Sequence, residues 1–352
     1  MLRKPKVTAI LPCFNHSQFL EERIHSVVTQ THPVDQIVFL DDASSDRSVF
    51  LAKKLLLYFP GQVDYHIRTK NSGSPFVQWN TGVTLAKHEL IWIAETDDTC
   101  DPRLIENLYN DIERHEAVLA FSQSRSIDEL GKDLGSAASY TDDLWPGGFV
   151  DSFSMDGEKF NAIYMTAQNV IPNASAVLFK KFAYISAGLA NESMRFCGDW
   201  DAWIRICAQG KVRFNANELN YFRCHPSTTR ARGYTPIANA EYFACRLRAC
   251  MGTDKPSFRA LSAWNLLYVI LDPLTRSKWH YAIHTLNLAL LPDAKASYKE
   301  LVGLPVLDES AWRSLSFIYI FENVLNRIHI LLIKLTRLPV SLFRKLYSSQ
   351  GV

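Results

Sequence analysis

The stretch VTAILPCFNHSQFLEERIHSVVTQTHPVDQIVFLDDASSD, Val7 to Asp46, changes period twice. Val7 to Pro12 is a short apolar run suited to a buried strand. Phe19, Leu20, Ile24, Val27 and Val28 then fall at helical spacing up to Thr29, and Gln36 to Leu40 returns to a strand. The turn-rich Asp41-Asp42-Ala43-Ser44-Ser45-Asp46 follows, where Ser44 or Ser45 can cap the next helix. A strand, a helix and a strand in this order predict a parallel pair with a right-handed crossover.

The same alternation continues outward. A helix runs to Phe59 and stops at Pro60-Gly61, and Asp64 to Arg68 is a third strand. Pro75 opens a helix at its first turn, where a missing N–H costs little. Leu90 to Ala94 is a fourth strand, and Pro102 starts another helix. Residues 126–172 are loop-rich and are expected to form a mobile segment on the substrate side. Ser175 to Phe179 reads as a strand, Asp199 to Gln209 as a helix, and Val212 to Asn215 and Asn220 to Cys224 as two last strands. From Ala238 the pattern is helical, and there is no internal repeat.

Composition sets outer limits. In 352 residues, 47% are hydrophobic and 21% charged, so a large core can be buried and general disorder is excluded. The net charge of +2 gives no electrostatic reason to expect a nucleic-acid partner. No run of 18 uncharged apolar residues argues for a membrane span, and the N-terminus enters a strand with no secretory pattern. The seven cysteines include no CxxC pair, which fits reduced thiols, and a cytoplasmic location is expected.

A sheet of this kind binds ligands beyond the carboxyl ends of its strands. Three loops gather there: Pro12-Cys13-Phe14-Asn15-His16, Asp41-Asp42, and Glu95-Thr96-Asp97-Asp98. Acids two and three residues apart at a strand tip suit Mg²⁺ or Mn²⁺, which share their coordination with phosphates. The plainer reading is a helix N-terminus, where Asp favours the dipole. Asp199 and Asp201 stand at a helix start, where a carboxylate is either a cap or a general base. Trp200 and Trp203 are either core residues or a face for a sugar. Arg223 and His225, after the last strand, can reach a diphosphate or a metal.

The order of Ile10-Leu11-Pro12-Cys13-Phe14-Asn15, Phe39 to Asp46, Asn71-Ser72-Gly73, Trp79-Asn80-Thr81-Gly82 and Glu95-Thr96-Asp97-Asp98 resembles glycosyltransferase family 2. Gly198-Asp199-Trp200-Asp201 and Tyr221-Phe222-Arg223-Cys224-His225 extend the resemblance over the first 230 residues. It implies an α/β fold of GT-A type, a Rossmann-like and mostly parallel central sheet with flanking helices and a C-terminal helical extension. It also implies a catalytic domain over 1–232, nucleotide-binding in 1–100 and acceptor-binding in 101–232, followed by a helical region over 233–352.

The resemblance further implies an inverting transferase. A nucleotide-diphosphate sugar would be the donor, and a hydroxyl of a glycan or lipid-linked glycan the acceptor, in surface polysaccharide synthesis assisted by Mn²⁺ or Mg²⁺. Pro12, Phe14 and Asn15 would shape the base pocket, and Asp42, or Asp41, would bind the base or ribose. Lys70 and Asn80 would lie along the donor. Glu95, Thr96, Asp97 and Asp98 stand at the metal and ribose motif, with Asp97, Asp98 and His225 as metal contacts. Asp199 matches the general base, Arg223 and His225 the segment over the diphosphate, and Trp200 and Trp203 would face the acceptor. Two positions depart from the family's usual pattern: Glu95 stands where Asp is common, and Gly198 where Glu is common.

The tail at 311–352 carries six Lys or Arg against Glu322, with Phe317, Phe321, Leu325, Ile328 and Leu332 near helical spacing. Such a segment suits a membrane surface, and equally a helix packed on the catalytic domain or on a second copy in a homodimer. The alternative to an active enzyme is a catalytically weak nucleotide-sugar-binding or scaffold protein of the same fold. A nicotinamide dehydrogenase is excluded by the absence of a GxGxxG after the first strand.

Overall fold

In a computed structural model, residues 5–142, 145, 147–171, 173–225, 236–252 and 255 are described. The opening strand β1 (Val7–Cys13) is buried along its whole length. It lies between β2 (Gln36–Asp41) and β4 (Leu90–Ile93), parallel to both, and β3 (Gln62–Ile67) pairs parallel with β2 at the sheet edge. Burial on both faces explains the unbroken apolar runs in place of alternation. The register sets Cys13 opposite Asp41 and Asp41 opposite Ile67, so the strands end level and their loops share one rim.

Helices α1 (Leu20–Val28), α2 (Ser48–Leu55) and α3 (Pro75–Leu85) make the crossovers, and α4 (Leu104–His115) follows the two-residue strand β5 (Thr99–Cys100). The next strands are β6 (Ala117–Ile127), β7 (Asp133–Ser136), β8 (Phe153–Asp156), β9 (Val177–Lys180) and β10 (Lys211–Arg223). The sheet runs β3-β2-β1-β4-β9-β6-β10-β5, with β7 beside β6 and β8 beside β10. β9 enters antiparallel between β4 and β6, while β6 and β10 pair parallel. The fold is therefore α/β, with a mixed central sheet flanked by helices.

Alternate residues of each strand feed two apolar clusters. Ile10, Val38, Leu40, Ile91 and Ile93 pack with α3, with α7 (Lys181–Ser186) and with α8 (Gly198–Cys207). Val7, Ala9, Leu11, Phe39 and Trp92 pack with α1 and α4 on the other face.

Three features differ from the sequence reading. β6 was not anticipated, because its apolar AVLAF start runs into the polar SQSRS without alternation. The two expected final strands are one strand, β10, whose register against β6 shifts near Asn215 and Glu218. The 126–172 stretch is not only loop. It contributes β7, β8, the short helices α5 (Ser139–Asp142) and α6 (Gly157–Phe160), and a π-helical turn at Asn161–Met165. Phe149, Phe153, Phe160 and Tyr164 there stack on one another and on Phe214, which anchors the segment to the core.

Helix α9 (Pro236–Met251) packs on α8, with Cys245 and Ala249 buried in the same cluster. Arg248 forms an ion pair with Asp201 at 2.5 Å, and Asp201 accepts a hydrogen bond from Arg205. No described helix is long and apolar enough to cross a membrane. The tail at 311–352 lies outside the described residues.

Candidate active site

The loop after β1 is laced to the loop after β2. Asn15 takes a left-handed backbone (φ 55°), which Asn tolerates, and its side chain accepts from the Ser45 N–H at 2.8 Å. The Ser17 and Ser48 N–H groups both donate to Asp46 at 2.9 Å. Burial alone would raise Asp46, but the Ser48 hydroxyl, these two N–H groups and the Ser17 hydroxyl together hold it down at about 2. Phe14 stays 44% exposed at the rim, while Pro12 is buried beneath it.

Asp41 and Asp42 divide their roles. Asp42 is buried, accepts from the Ser72 N–H at 3.0 Å and hydroxyl at 2.8 Å, and pairs with Arg68 at 3.2 Å. It thus fixes the 71–74 loop. Asp41 caps the turn through the Ser44 N–H, and its other carboxylate oxygen is buried without a partner. Lys70 is exposed beside this loop.

The third loop, Glu95 to Asp98, is a tight turn between β4 and β5, closed by the Asp98 N–H to the Glu95 carbonyl. Glu95 accepts from Trp79 Nε1 at 2.8 Å. Burial and the neighbouring Asp97 raise it to about 8. Asp98 is raised to about 6 by burial and by Asp97. Burial alone would raise Asp97 too, but the hydrogen bond from His225 and the adjacent His16 hold it below the usual carboxylate range. His225 Nε2 lies 3.1 Å from Asp97 Oδ2, and that bond raises the imidazole. Of the three carboxyls in the turn, Asp97 is thus the one most readily ionised.

His16 completes this corner and was absent from the expected site. The Thr96 hydroxyl donates to the Pro12 carbonyl at 2.8 Å, so its oxygen accepts from His16 Nδ1, also at 2.8 Å. That leaves Nε2 of His16 as the acceptor, and burial lowers the imidazole. The rings of His16, Phe19 and His225 meet edge-on or tilted, 5.3–6.2 Å apart. The only sequence signal for His16 was its place in the loop after the first strand.

Four expectations need correction. Asp98 is not placed to hold a metal: its oxygens accept from Asn173, Ser175 and the Arg223 N–H at 2.7–3.0 Å, inside the protein. Arg223 is 1% exposed and does not face a diphosphate. Its guanidinium is spent on the Asp97, Asp128 and Glu129 carbonyls and on Glu22, lying over Phe19. Asn80 does not lie along a donor, because both ends of its amide are used to hold Ala190, Glu192 and the Tyr184 hydroxyl. Trp200 and Trp203, at 1% and 0% exposure, are core residues with no face for an acceptor.

Asp199 is partly exposed in the first turn of α8 and accepts from Asn169 at 3.1 Å. Gly198 before it abuts Phe76, where a β-carbon would lie 2.4 Å from the ring. Phe76 stacks edge-on against Trp79, which holds Glu95. Arg195 reaches across to the Gly73 carbonyl at 2.7 Å, in the loop that Asp42 fixes. Short chains of contact thus tie the loops of Asp42, Asp97 and Asp199 to one rim.

Among the described residues, no three His, Cys, Asp or Glu side chains form a metal cage. The Asp97–His225 pair does suit a divalent ion that takes its other ligands from phosphates: one hard oxygen donor and one imidazole, side by side.

Comparison with known proteins bears on the family and the fold. The poly(ribitol-phosphate) β-N-acetylglucosaminyltransferase TarP of Staphylococcus aureus is 34% identical over 107 residues, 30% of this chain and 32% of that one. The matched stretches span about a third of the length of the curated relatives. S. aureus TarS 1-349 in complex with UDP-GlcNAc superposes with a TM-score of 0.61 at 13% identity, over 84% of this chain and 81% of that one. The mannosyltransferase PcManGT of Pyrobaculum calidifontis, in complex with GDP-Man and Mn²⁺, gives 0.54 at 15% identity, over 92% and 87%. At these identities the two structures speak for the fold, the GT-A arrangement of TarS. The profile described as "Glycosyl transferase family 2" matches residues 8–183, half of the sequence, and the chain belongs to that family.

Proposed function

We propose that the protein is an inverting glycosyltransferase that moves a sugar from a nucleotide-diphosphate donor to an acceptor hydroxyl, with Asp199 as general base. The observation that carries this reading is a partly exposed carboxylate in the first turn of α8, on the rim where the acidic turn and the Asp42 loop also end. Phe14 and Pro12 would bound the base pocket, with Asp41 or Asp42 reading base or ribose and Asn15 and Lys70 beside them. Glu95 would border the donor, while Thr96, itself buried, would fix His16 and the loop after β1.

Asp97 and His225 would hold Mn²⁺ or Mg²⁺, and the ion when bound would offset the charge that develops on the leaving diphosphate. The attacking hydroxyl has a high pKa and must lose its proton as the bond to C1 forms. Asp199 would accept that proton at a carboxylate oxygen, from the face opposite the leaving group, so the anomeric centre inverts. The Asn169 amide, bonded to the other side of the carboxylate, fixes its orientation. TarP, which acts on poly(ribitol-phosphate), and TarS in complex with UDP-GlcNAc support a UDP-sugar donor and a polymeric acceptor. The basic tail would bring the enzyme to an anionic membrane surface where a lipid-linked acceptor resides.

The test is Asp199→Asn. Binding of UDP-GlcNAc, UDP-glucose or GDP-mannose with Mn²⁺, read as a thermal shift, is expected to persist. Release of the nucleoside diphosphate is expected to fall by about 10²- to 10⁴-fold. Turnover close to that of the wild type would remove Asp199 from the role.

A further inference from the structure

Glu241 is a charged side chain with 0% exposure, on α9, outside every motif of the site. Its carboxylate accepts three consecutive backbone N–H groups: Arg195 at 2.8 Å on one oxygen, Phe196 at 2.8 Å and Cys197 at 2.9 Å on the other. These three residues lead directly into α8, with Asp199 two positions on. Burying an unpaired carboxylate is costly, whereas three charge-assisted bonds satisfy it and immobilise the donors. Three successive N–H groups turned to one point form an anion-binding concavity, filled here by the protein's own side chain.

The same segment reaches in two directions. Cys197 is the residue before the first turn of α8, and its carbonyl accepts from the Asp201 N–H at 2.9 Å, which starts the helix. Arg195 sends its guanidinium to the Gly73 carbonyl at 2.7 Å, and Ser72 beside it is held by Asp42. Around Glu241, α9 is held by Cys245 against the Cys197 carbonyl, by Tyr242 against Trp200 and by Arg246 bonded to the Ala167 carbonyl. The brace is therefore itself rigid.

We infer that Glu241 is a positioning residue: it fixes 195–197 so that Asp199 and the 71–74 loop keep one spacing across the donor site. The inference rests on the reading of Asp199 as the base. A carboxylate displaced by about 1 Å loses much of its advantage as a proton acceptor, while Asp42 and the 71–74 loop keep their own bonds to one another and to Arg68.

The test is Glu241→Gln, which keeps size and removes charge and one acceptor. With whichever of UDP-GlcNAc, UDP-glucose and GDP-mannose the wild type cleaves in Mn²⁺, kcat is expected to fall by about 10- to 100-fold. The donor Kd is expected to stay within about twofold. In an Asp199→Asn background the same change is expected to have little further effect on the residual rate. Amide exchange in a peptide spanning 193–200 is expected to accelerate by about tenfold or more, with the sheet unchanged. An equal loss in both backgrounds, or wild-type exchange in that peptide, overturns the proposal. If Glu241→Gln does not fold, Glu241→Asp, which keeps the charge on a shorter arm, is read by the same measurements. Failure of the wild type to cleave any donor would count against the transferase reading, and the exchange measurement would then judge the brace by itself.

Discussion

Gly198 shows how one residue sets a departure from the family pattern. Glycine inside a helix normally weakens it relative to alanine by about 0.5–1 kcal/mol, so Gly198→Ala would ordinarily stabilise α8. Here a β-carbon would lie 2.4–2.7 Å from three atoms of the Phe76 ring, a contact that must displace the ring. Phe76 in turn sets Trp79, and Trp79 donates to Glu95, so the ring cannot shift freely. Gly198→Ala is therefore expected to destabilise the protein by about 1–3 kcal/mol in urea unfolding. Combined with Phe76→Leu, the losses should be less than additive. A neutral or stabilised Gly198→Ala variant would mean that the ring yields without cost. At this scale the sequence marked the right position, but the reason for glycine lies in a residue 122 places away and is not legible in the chain. The same holds for Arg223 and Asn80. Their types suited a ligand, while their surroundings turn every polar atom inward.

Elements were legible where their pattern was self-contained. β1, β2 and β4 are unbroken apolar runs, and α3 is marked by Pro75, so their ends and the three rim loops followed from spacing. β6 was not legible, and β10 read as two strands, because their faces change from buried to polar along their length and their partners come from distant segments. Between elements, Asp46 carries a testable share of the assembly. It joins the start of α2 to the loop before α1 through two N–H bonds, and it is held from 3.8 down to about 2. A carboxylate with a depressed folded pKa adds stability that is present above its unfolded value and is lost as pH falls through the folded one. The contribution should thus disappear between pH 3.8 and about 2. Asp46→Asn is expected to be less stable than wild type at neutral pH, with the two melting temperatures converging through that window. Parallel curves down to pH 2 would place the stabilisation elsewhere.

At the scale of the molecule, the C-terminal region divides by function. Glu241 and Cys245 on α9 bond to the segment before α8, Arg248 pairs ionically with Asp201 on α8, and Asp201 is 2% exposed between Arg205 and Arg248. Loss of α9 would uncover Trp200 and leave Asp201 short of one partner, and breaking a buried ion pair costs about 3–5 kcal/mol. The basic, apolar tail at 311–352 carries a different expectation, membrane contact, drawn from its composition. A deletion series separates the two. A chain ending at 310 should melt within a few degrees of the full chain but no longer sediment with vesicles containing anionic lipid. A chain ending at 232 should lose cooperative melting or melt far lower. Vesicle binding that survives removal of 311–352 would end the proposal of a membrane-binding tail. A chain ending at 232 with full stability would mean that α8 and the Asp199 turn hold their shape without α9, which the buried bonds that Glu241 accepts and the Arg248–Asp201 ion pair make the harder outcome to explain.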